Sequence, residues 1–510
     1  VIGTTTAVAL LGLTGQMVEV EADITPGLPS FTIIGLPDTA LSNARERVRH
    51  ATSNAGCPLP ARRITVNLSP AALPKFGPVF DLAIAMALLA AARSISAESI
   101  GRVVHLGELG LDGRLRPTSG ILPAVAAAAR LGFTRFMVPT GNADEASLVP
   151  GITVIPVASV RDAAIFHGST LQPRPVDPIL LARETAGETP VLELADVIGN
   201  RDAAQALVVA AAGGHHLFML GPPGAGKTML AARLPGLLPD LGPLESLEVS
   251  SLRSLSGDVL GSRLVTRPPL ESPHHTATAA ALVGGGSRQI RPGAAARASH
   301  GVLFIDEAPE FNSSVLDALR QPIETGVISI HRANAVASFP ASFQLVLAAN
   351  PCPCGQYGAR DSECTCTPHA RRRYLARISG PLMDRIDIQL RVQRITAAEL
   401  RMADDADRLD TDTARSAVVA ARALSAARLE GTPWVLNSQA TGSWLRTGPR
   451  RLARATTASL DRALERGGIT MRGYDRVLRL AWTVADLDAV DSPTAEHVGR
   501  ALYLRKSLQS

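Results

Sequence analysis

The stretch LFMLGPPGAGKTMLAARL constrains this chain more than any other: an apolar strand runs straight into Gly221-Pro222-Pro223-Gly224-Ala225-Gly226-Lys227-Thr228, and an amphipathic helix follows. Glycines at 221, 224 and 226 let the backbone curl so that its N–H groups face an anion, and the helix N-terminus adds the positive end of its dipole. Lys227 is then placed to neutralise β- and γ-phosphates, and Thr228 to offer a hydroxyl to Mg²⁺. A plain glycine-rich turn would account for the glycines alone. It would not account for the two flanking elements, nor for one of only three lysines among 51 basic residues standing at position 227.

Val302-Leu-Phe-Ile305 reads as a buried strand ending in Asp306-Glu307. Adjacent carboxylates at a strand end need a counter-charge. Mg²⁺ held through water by Asp306 supplies it, and Glu307 can orient or deprotonate an attacking water, so the pair predicts hydrolysis as well as binding. A third strand, Gln344 to Ala349, delivers Asn350, whose amide can hold the same water. An isolated Asn there would be a turn former.

Around this core the 510 residues divide into several domains. Residues 1–170 alternate short β-like runs (Met17–Ala22, Ser30–Ile34, Ile64–Leu68, Arg135–Val138) with helical stretches such as Phe80–Ala92, an α+β or α/β pattern. Residues 171–190, with four prolines, read as a linker. Residues 191–394 show the helix, strand, glycine loop and helix order of a parallel α/β nucleotide-binding core. Residues 395–510 lack strand-like runs and read as a helical bundle or lid, with helices over Ala414–Leu429 and Tyr474–Leu487. The longest uncharged apolar run, Leu82–Ala92, is too short to span a membrane, and VIGTTTAVALLGL reads as a strand rather than a signal peptide, so a cytoplasmic location without a membrane partner is expected. A net charge of +5 is too dilute to demonstrate an acidic partner.

Four of the five cysteines form C-x-C, nine residues, C-x-C: Cys352, Cys354, Cys364 and Cys366. Four thiolates meet the ligand count of a closed structural Zn²⁺ site, although C-x-C strains a single-ion chelate. Redox-labile thiols or an unliganded loop are the alternatives, and His369 can replace one ligand. Cys57 stands alone as a small core residue.

The ordered set GPPGAGKT, GVLFIDEAPEF, LVLAANPCPCG and SGPLMDRIDI, with DVIGNRDAAQALVVAAAGGHH and GLPDTALSNARERVRHA upstream, resembles the magnesium-chelatase-like branch of the AAA+ ATPases, specifically the bacterial YifB/ComM family. The resemblance covers nearly the whole chain. It implies a multidomain α/β protein: an N-terminal domain like ribosomal S5 domain 2 and Lon protease, an AAA+ core and a C-terminal α-helical lid. It further implies that Val197 and Ile198 line an adenine pocket, that Asn350 is sensor 1, that Arg385 is an arginine finger entering a neighbouring subunit's ATP site, and that Arg472 is sensor 2. Without the motif context each arginine would be a solvated surface charge. A finger in trans makes activity depend on a homo-oligomeric ring, expected to be a hexamer.

Residues 326–339 read as a hairpin around His331-Arg332-Ala-Asn334, which in this branch projects towards the ring pore. A basic tip there can track a phosphate backbone without reading bases. The run Arg371-Arg372-Arg373 is the clearest basic patch, its alternative being a solvated helix face or a subunit surface. The family implies single- or branched double-stranded DNA as substrate and a helicase that drives branch migration, as in natural transformation. Two rivals stand beside this reading. An ATP-dependent protease lacks its nucleophile and base, since Gly77-Pro78-Val79 and Leu122 occupy the places of a Lon-type Ser and Lys. A motor subunit for metal insertion into a tetrapyrrole is disfavoured on the expectation that the chelatase I subunit lacks this N-terminal domain and a cysteine cluster after sensor 1.

Overall fold

The computed structural model describes residues 2–35, 41, 43–180, 191–286, 290–332, 335–358, 364–396, 401 and 408–506, with backbone only at 332 and 335. The second half of the linker, part of the GLPDTALSNARERVRHA motif and the hairpin turn fall outside them.

The N-terminal half of the chain opens with β1 (Gly3–Leu11) and β2 (Thr14–Thr25), followed by β3 (Ser30–Ile34), β4 (Arg63–Ser69), β5 (Val104–His105), β6 (Arg135–Pro139) and β7 (Thr153–Val157). They form one mixed sheet in the order β3-β4-β2-β1-β5-β6-β7. Alternate residues Ile64, Val66 and Leu68 of β4 are buried while their neighbours are not, as expected of a strand with one covered face. Helix α1 (Asp81–Ala91) is apolar on every side beyond Asp81, and all its residues are buried. Such a helix must be enclosed, and it packs on β1 and β2. Buried Asp81 is held by a bidentate Arg47 at 2.7 and 2.9 Å. Residues 171–180 carry no helix or strand, although Leu171 still packs on this core.

The second sheet has five parallel strands in the order β9 (Leu270–Glu271), β10 (Val302–Ile305), β13 (Gln344–Ala349), β8 (Leu217–Leu220), β14 (Ile388–Arg391). Every residue of β8, β10 and β13 is buried, which is why these segments read as unbroken apolar runs. Removing one such side chain, Leu347→Ala for instance, should cost about 2–5 kcal/mol. Helices α2 (Arg201–Gly213) and α3 (Lys227–Leu237) cover the sheet, and the C-terminal helices α6 (Thr411–Arg428) and α7 (Met471–Leu487) pack on α2. Their buried residues join those of β8 and α3 in one cluster, so the C-terminal helices share a core with the second sheet.

The expected hairpin is present as β11 (Val327–Arg332) and β12 (Ala335–Pro340), with Arg332 opposite Ala335. Its second strand touches the N-terminal domain, where Gly12 bridges to Ser338. The two domains also meet where helix α4 (Pro243–Ser256) packs on the helix Ile121–Arg130, with the Ser254 hydroxyl donating to Glu145.

Candidate active site

In open parallel sheets, ligands bind beyond the carboxyl ends of the strands. Strand order decides which side chains meet there. Because β13 lies between β8 and β10, Asn350 at its end stands between the glycine loop that follows β8 and the carboxylates that follow β10. Lys227 Nζ donates to Asn350 Oδ1 at 3.1 Å and to the carbonyls of Gly221 and Pro222 at 2.6 and 3.0 Å. The Thr228 hydroxyl donates to Asp306 Oδ2 at 2.8 Å, so the two groups expected to bind Mg²⁺ share one point. Burial pushes the Lys227 ammonium below its ordinary value, and Asp306 and Glu307 pull it back up. Gly224 and Gly226 have φ of 75° and 91°, in the left-handed region that a side chain disfavours, so the loop needs glycine at both positions.

Beside the loop lies a cleft of about 180 Å³ lined by Val197, Ile198, Asn200, residues 224–226, Met229, Leu230, Arg394 and Ile395. Val197 and Ile198, expected to line an adenine pocket, both line this cleft. Asn200 Nδ2 donates to the carbonyls of Ala225 and Gln393 at 3.4 and 3.3 Å, and Arg394 Nε donates to the Pro223 carbonyl at 2.8 Å. Nothing in the motif pattern marks Arg394. Its place three residues past the strand beside the glycine loop is the signal that it belongs here.

Glu307 takes φ of 49°, and its carboxylate meets His275, with Nδ1 3.4 Å from Oε2. Nothing in the motif pattern marks His275. It arrives because β9 is the neighbour of β10, so that the segment following β9 runs beside the end of β10.

Arg385 and Arg472 are brought together, but at a different place. They line a second cleft of about 190 Å³ with Glu324, Asp384, Asp475, Arg476 and Arg479. Arg385 donates to the Pro381 carbonyl at 2.6 Å and pairs with Glu324, and Arg472 lies 3.8 Å from Asp384. No residue lining this cleft lines the nucleotide cleft, so a sensor role for Arg472 at its own chain's nucleotide does not follow from this arrangement.

The Sγ atoms of Cys352, Cys354, Cys364 and Cys366 all lie within 4.8 Å of one another, close enough to share one ion. His369 is not part of that group. Of the expected DNA contacts, His331, Arg372 and Arg373 are exposed, while Arg371 stacks over the Tyr357 ring with its guanidinium carbon 3.7 Å from the centroid. The Arg332 side chain lies outside the described residues. Among the described residues no helix is long and apolar enough to cross a membrane. At the sites of the absent protease groups, Val79 is half-buried and Leu122 is fully buried.

A parallel sheet carrying a glycine loop, a lysine, a strand-end Asp-Glu pair and an interposed asparagine defines a phosphate-loop ATPase core. Three family models match: "Magnesium chelatase, subunit ChlI" over residues 193–400, "Subunit ChlI of Mg-chelatase" over 20–142, and "Magnesium chelatase, subunit ChlI C-terminal" over 408–505. An uncharacterized protein of Mycobacterium tuberculosis is 46% identical over 99% of both chains. Competence protein ComM of Haemophilus influenzae is 38% identical over 98% of this chain and 96% of its own. Lon protease of Mycolicibacterium smegmatis is 29% identical over 34% of this chain and 23% of its own. The chain belongs to the YifB/ComM family of magnesium-chelatase-like AAA+ ATPases. Since a chelatase-subunit model matches residues 20–142, the N-terminal domain does not by itself separate this chain from proteins of that description.

Proposed function

We propose that this protein is an ATP-hydrolysing ring motor acting on DNA, a helicase that drives branch migration of recombination intermediates. The observation that carries the motor reading is the division of the machinery between two clefts. Lys227, Thr228, Asp306 and Asn350 converge at the end of the glycine loop, beside the first cleft, and Arg385 and Arg472 line the second. In this reading a ring, expected to be hexameric, places the arginine cleft of one protomer against the nucleotide of the next, and the guanidinium cancels charge that develops on the transferred phosphoryl group. Residues 221–228 cradle the triphosphate, and Val197 and Ile198 flank the adenine. Asp306 and Thr228 hold Mg²⁺, which when bound offsets the phosphate charge. Glu307 takes the proton of the attacking water.

DNA as substrate is supported by the exposed His331 on the hairpin, by exposed Arg372 and Arg373, and by the competence label of the Haemophilus relative. Strand exchange on labelled forked and four-way junctions, with native protein and Glu307→Gln, tests it. ATP-dependent exchange by the native protein alone is expected. DNA-independent hydrolysis stimulated only by chelatase partner subunits would favour the metal-insertion reading instead. The four-cysteine group is assigned to one structural Zn²⁺, because four sulfurs at mutual distances under 4.8 Å match a tetrahedral thiolate site.

A further inference from the structure

Resting on the zinc assignment just made, we infer that this ion braces the nucleotide site, so that metal binding at the four cysteines and nucleotide binding at the phosphate loop are thermodynamically coupled. The connection is short and rigid. Asn350, which accepts from Lys227 Nζ, is two residues from Cys352, a thiol with no exposed surface. From there the chain doubles back, with Gly355 N donating to the Cys352 carbonyl at 2.9 Å. Gly355 has φ of 76°, and a Cβ built on it would lie 2.7 Å from both Cγ and Cδ of Pro223. Bare glycine backbone therefore rests directly on the phosphate loop.

The same turn is fastened on its other side. Tyr357 N donates to Cys352 Sγ at 3.4 Å, the kind of N–H···S contact that orients a metal-bound thiolate. Arg371, on helix α5 (Pro368–Leu375), covers the Tyr357 ring. That helix begins two residues after Cys366. The cysteine turn is thus clamped between Pro223 and α5, and the thiol cluster fastens it to Cys364 and Cys366. Zn²⁺ entering as the aquo ion replaces four thiol protons, which leave to solvent, and no electron is transferred. The resulting tetrathiolate fixes the turn, and the turn fixes both Pro223 and the strand end that presents Asn350. Coupling of this kind is reciprocal, so bound nucleotide must in turn hold the metal more tightly.

The test uses the full-length protein in excess Mg²⁺, with zinc content, ADP affinity and the rate of zinc loss to a colorimetric zinc-selective chelator all measured. Native protein is expected to hold one zinc per chain and to lose it several-fold more slowly with saturating ADP. Its ADP affinity should fall about tenfold on zinc removal, within the usual range of coupling, and return when zinc is restored. Gly355→Ala keeps all four thiols but pushes the turn off Pro223. It should retain stoichiometric zinc while losing both the ADP protection and most of the affinity. One zinc per chain with ADP affinity and release rate indifferent to each other would overturn the coupling and leave the zinc assignment standing. No zinc as purified and none taken up on addition would overturn both.

Discussion

The Glu307 carboxylate and the His275 imidazole meet at a partly exposed contact, His275 Nδ1 to Glu307 Oε2 3.4 Å, which pairs charges when the imidazole is protonated. The His275 and Glu307 side chains are 35% and 50% exposed, so the pair is worth at most about 1 kcal/mol, or roughly fivefold in rate. If the pair restrains the base, His275→Ala should raise ATP turnover by up to about fivefold at unchanged KM. Steady-state hydrolysis at matched protein concentration decides it, and a lower kcat would make His275 an aid to Glu307 rather than a restraint.

Glu307→Gln preserves the size of the side chain and removes its basicity. Nucleotide affinity should stay near native while kcat falls by about 10²- to 10⁴-fold. Fluorescent-nucleotide titration beside single-turnover hydrolysis separates the two effects, and near-native turnover would remove Glu307 from the chemistry.

Arg385 lines a cleft with Glu324, Asp384 and Arg472 that does not include Lys227. Arg385→Ala should lower hydrolysis by about 10³-fold or more. Mixing it with Glu307→Gln protomers should restore part of the rate, because some interfaces then pair an intact base with an intact guanidinium. No recovery after subunit exchange would confine Arg385 to its contact with Glu324.

In the N-terminal domain, His105 Nε2 and His167 Nε2 lie 2.9 Å apart, with Thr5 and Ser99 hydroxyls 2.8 Å from their Nδ1 atoms. Burial pushes both imidazoles down, His167 to about 4, and the charge of His167 adds to the effect on His105 as Arg135 does on His167. With folded values below the unfolded value of about 6.5, the unfolded chain binds more protons in this window. The contribution to stability is whole above pH 6.5 and is lost as pH falls towards 4. Thermal melts from pH 8 to 4.5 should show that decline, and His167→Gln should flatten it.

Buried Asp387, one residue before β14, ties that strand to α7 through Arg476, and its carboxylate also accepts from His216 N at 3.2 Å. Burial alone would raise its carboxyl, but Arg476 and the neighbouring His215 and His216 imidazoles hold it well below the ordinary range. Asp387→Asn leaves Arg476 without its counter-charge and should destabilise the protein by about 3–5 kcal/mol. Arg472→Ala, exposed on the same helix, should stay within about 0.5 kcal/mol. Denaturant unfolding of both variants checks the contrast.

The phosphate loop, the Asp306-Glu307 strand end, Asn350 and the four-cysteine spacing are legible in the chain itself. Each is local: a run of apolar residues followed by a fixed set of polar ones dictates both the element and the chemistry at its end. The same holds for the helix Asp81–Ala91, expected over Phe80–Ala92. What only the tertiary structure decided is which distant groups become neighbours. Sheet order brings His275 to Glu307 and Arg394 to the loop carbonyl, and a bare glycine sets Gly355 against Pro223. Arg385 and Arg472, 87 positions apart, fall into one cleft for the same reason. Local sequence encodes torsional preference and the face to be buried, whereas these pairings come from the order in which strands and helices stack, which no single segment carries.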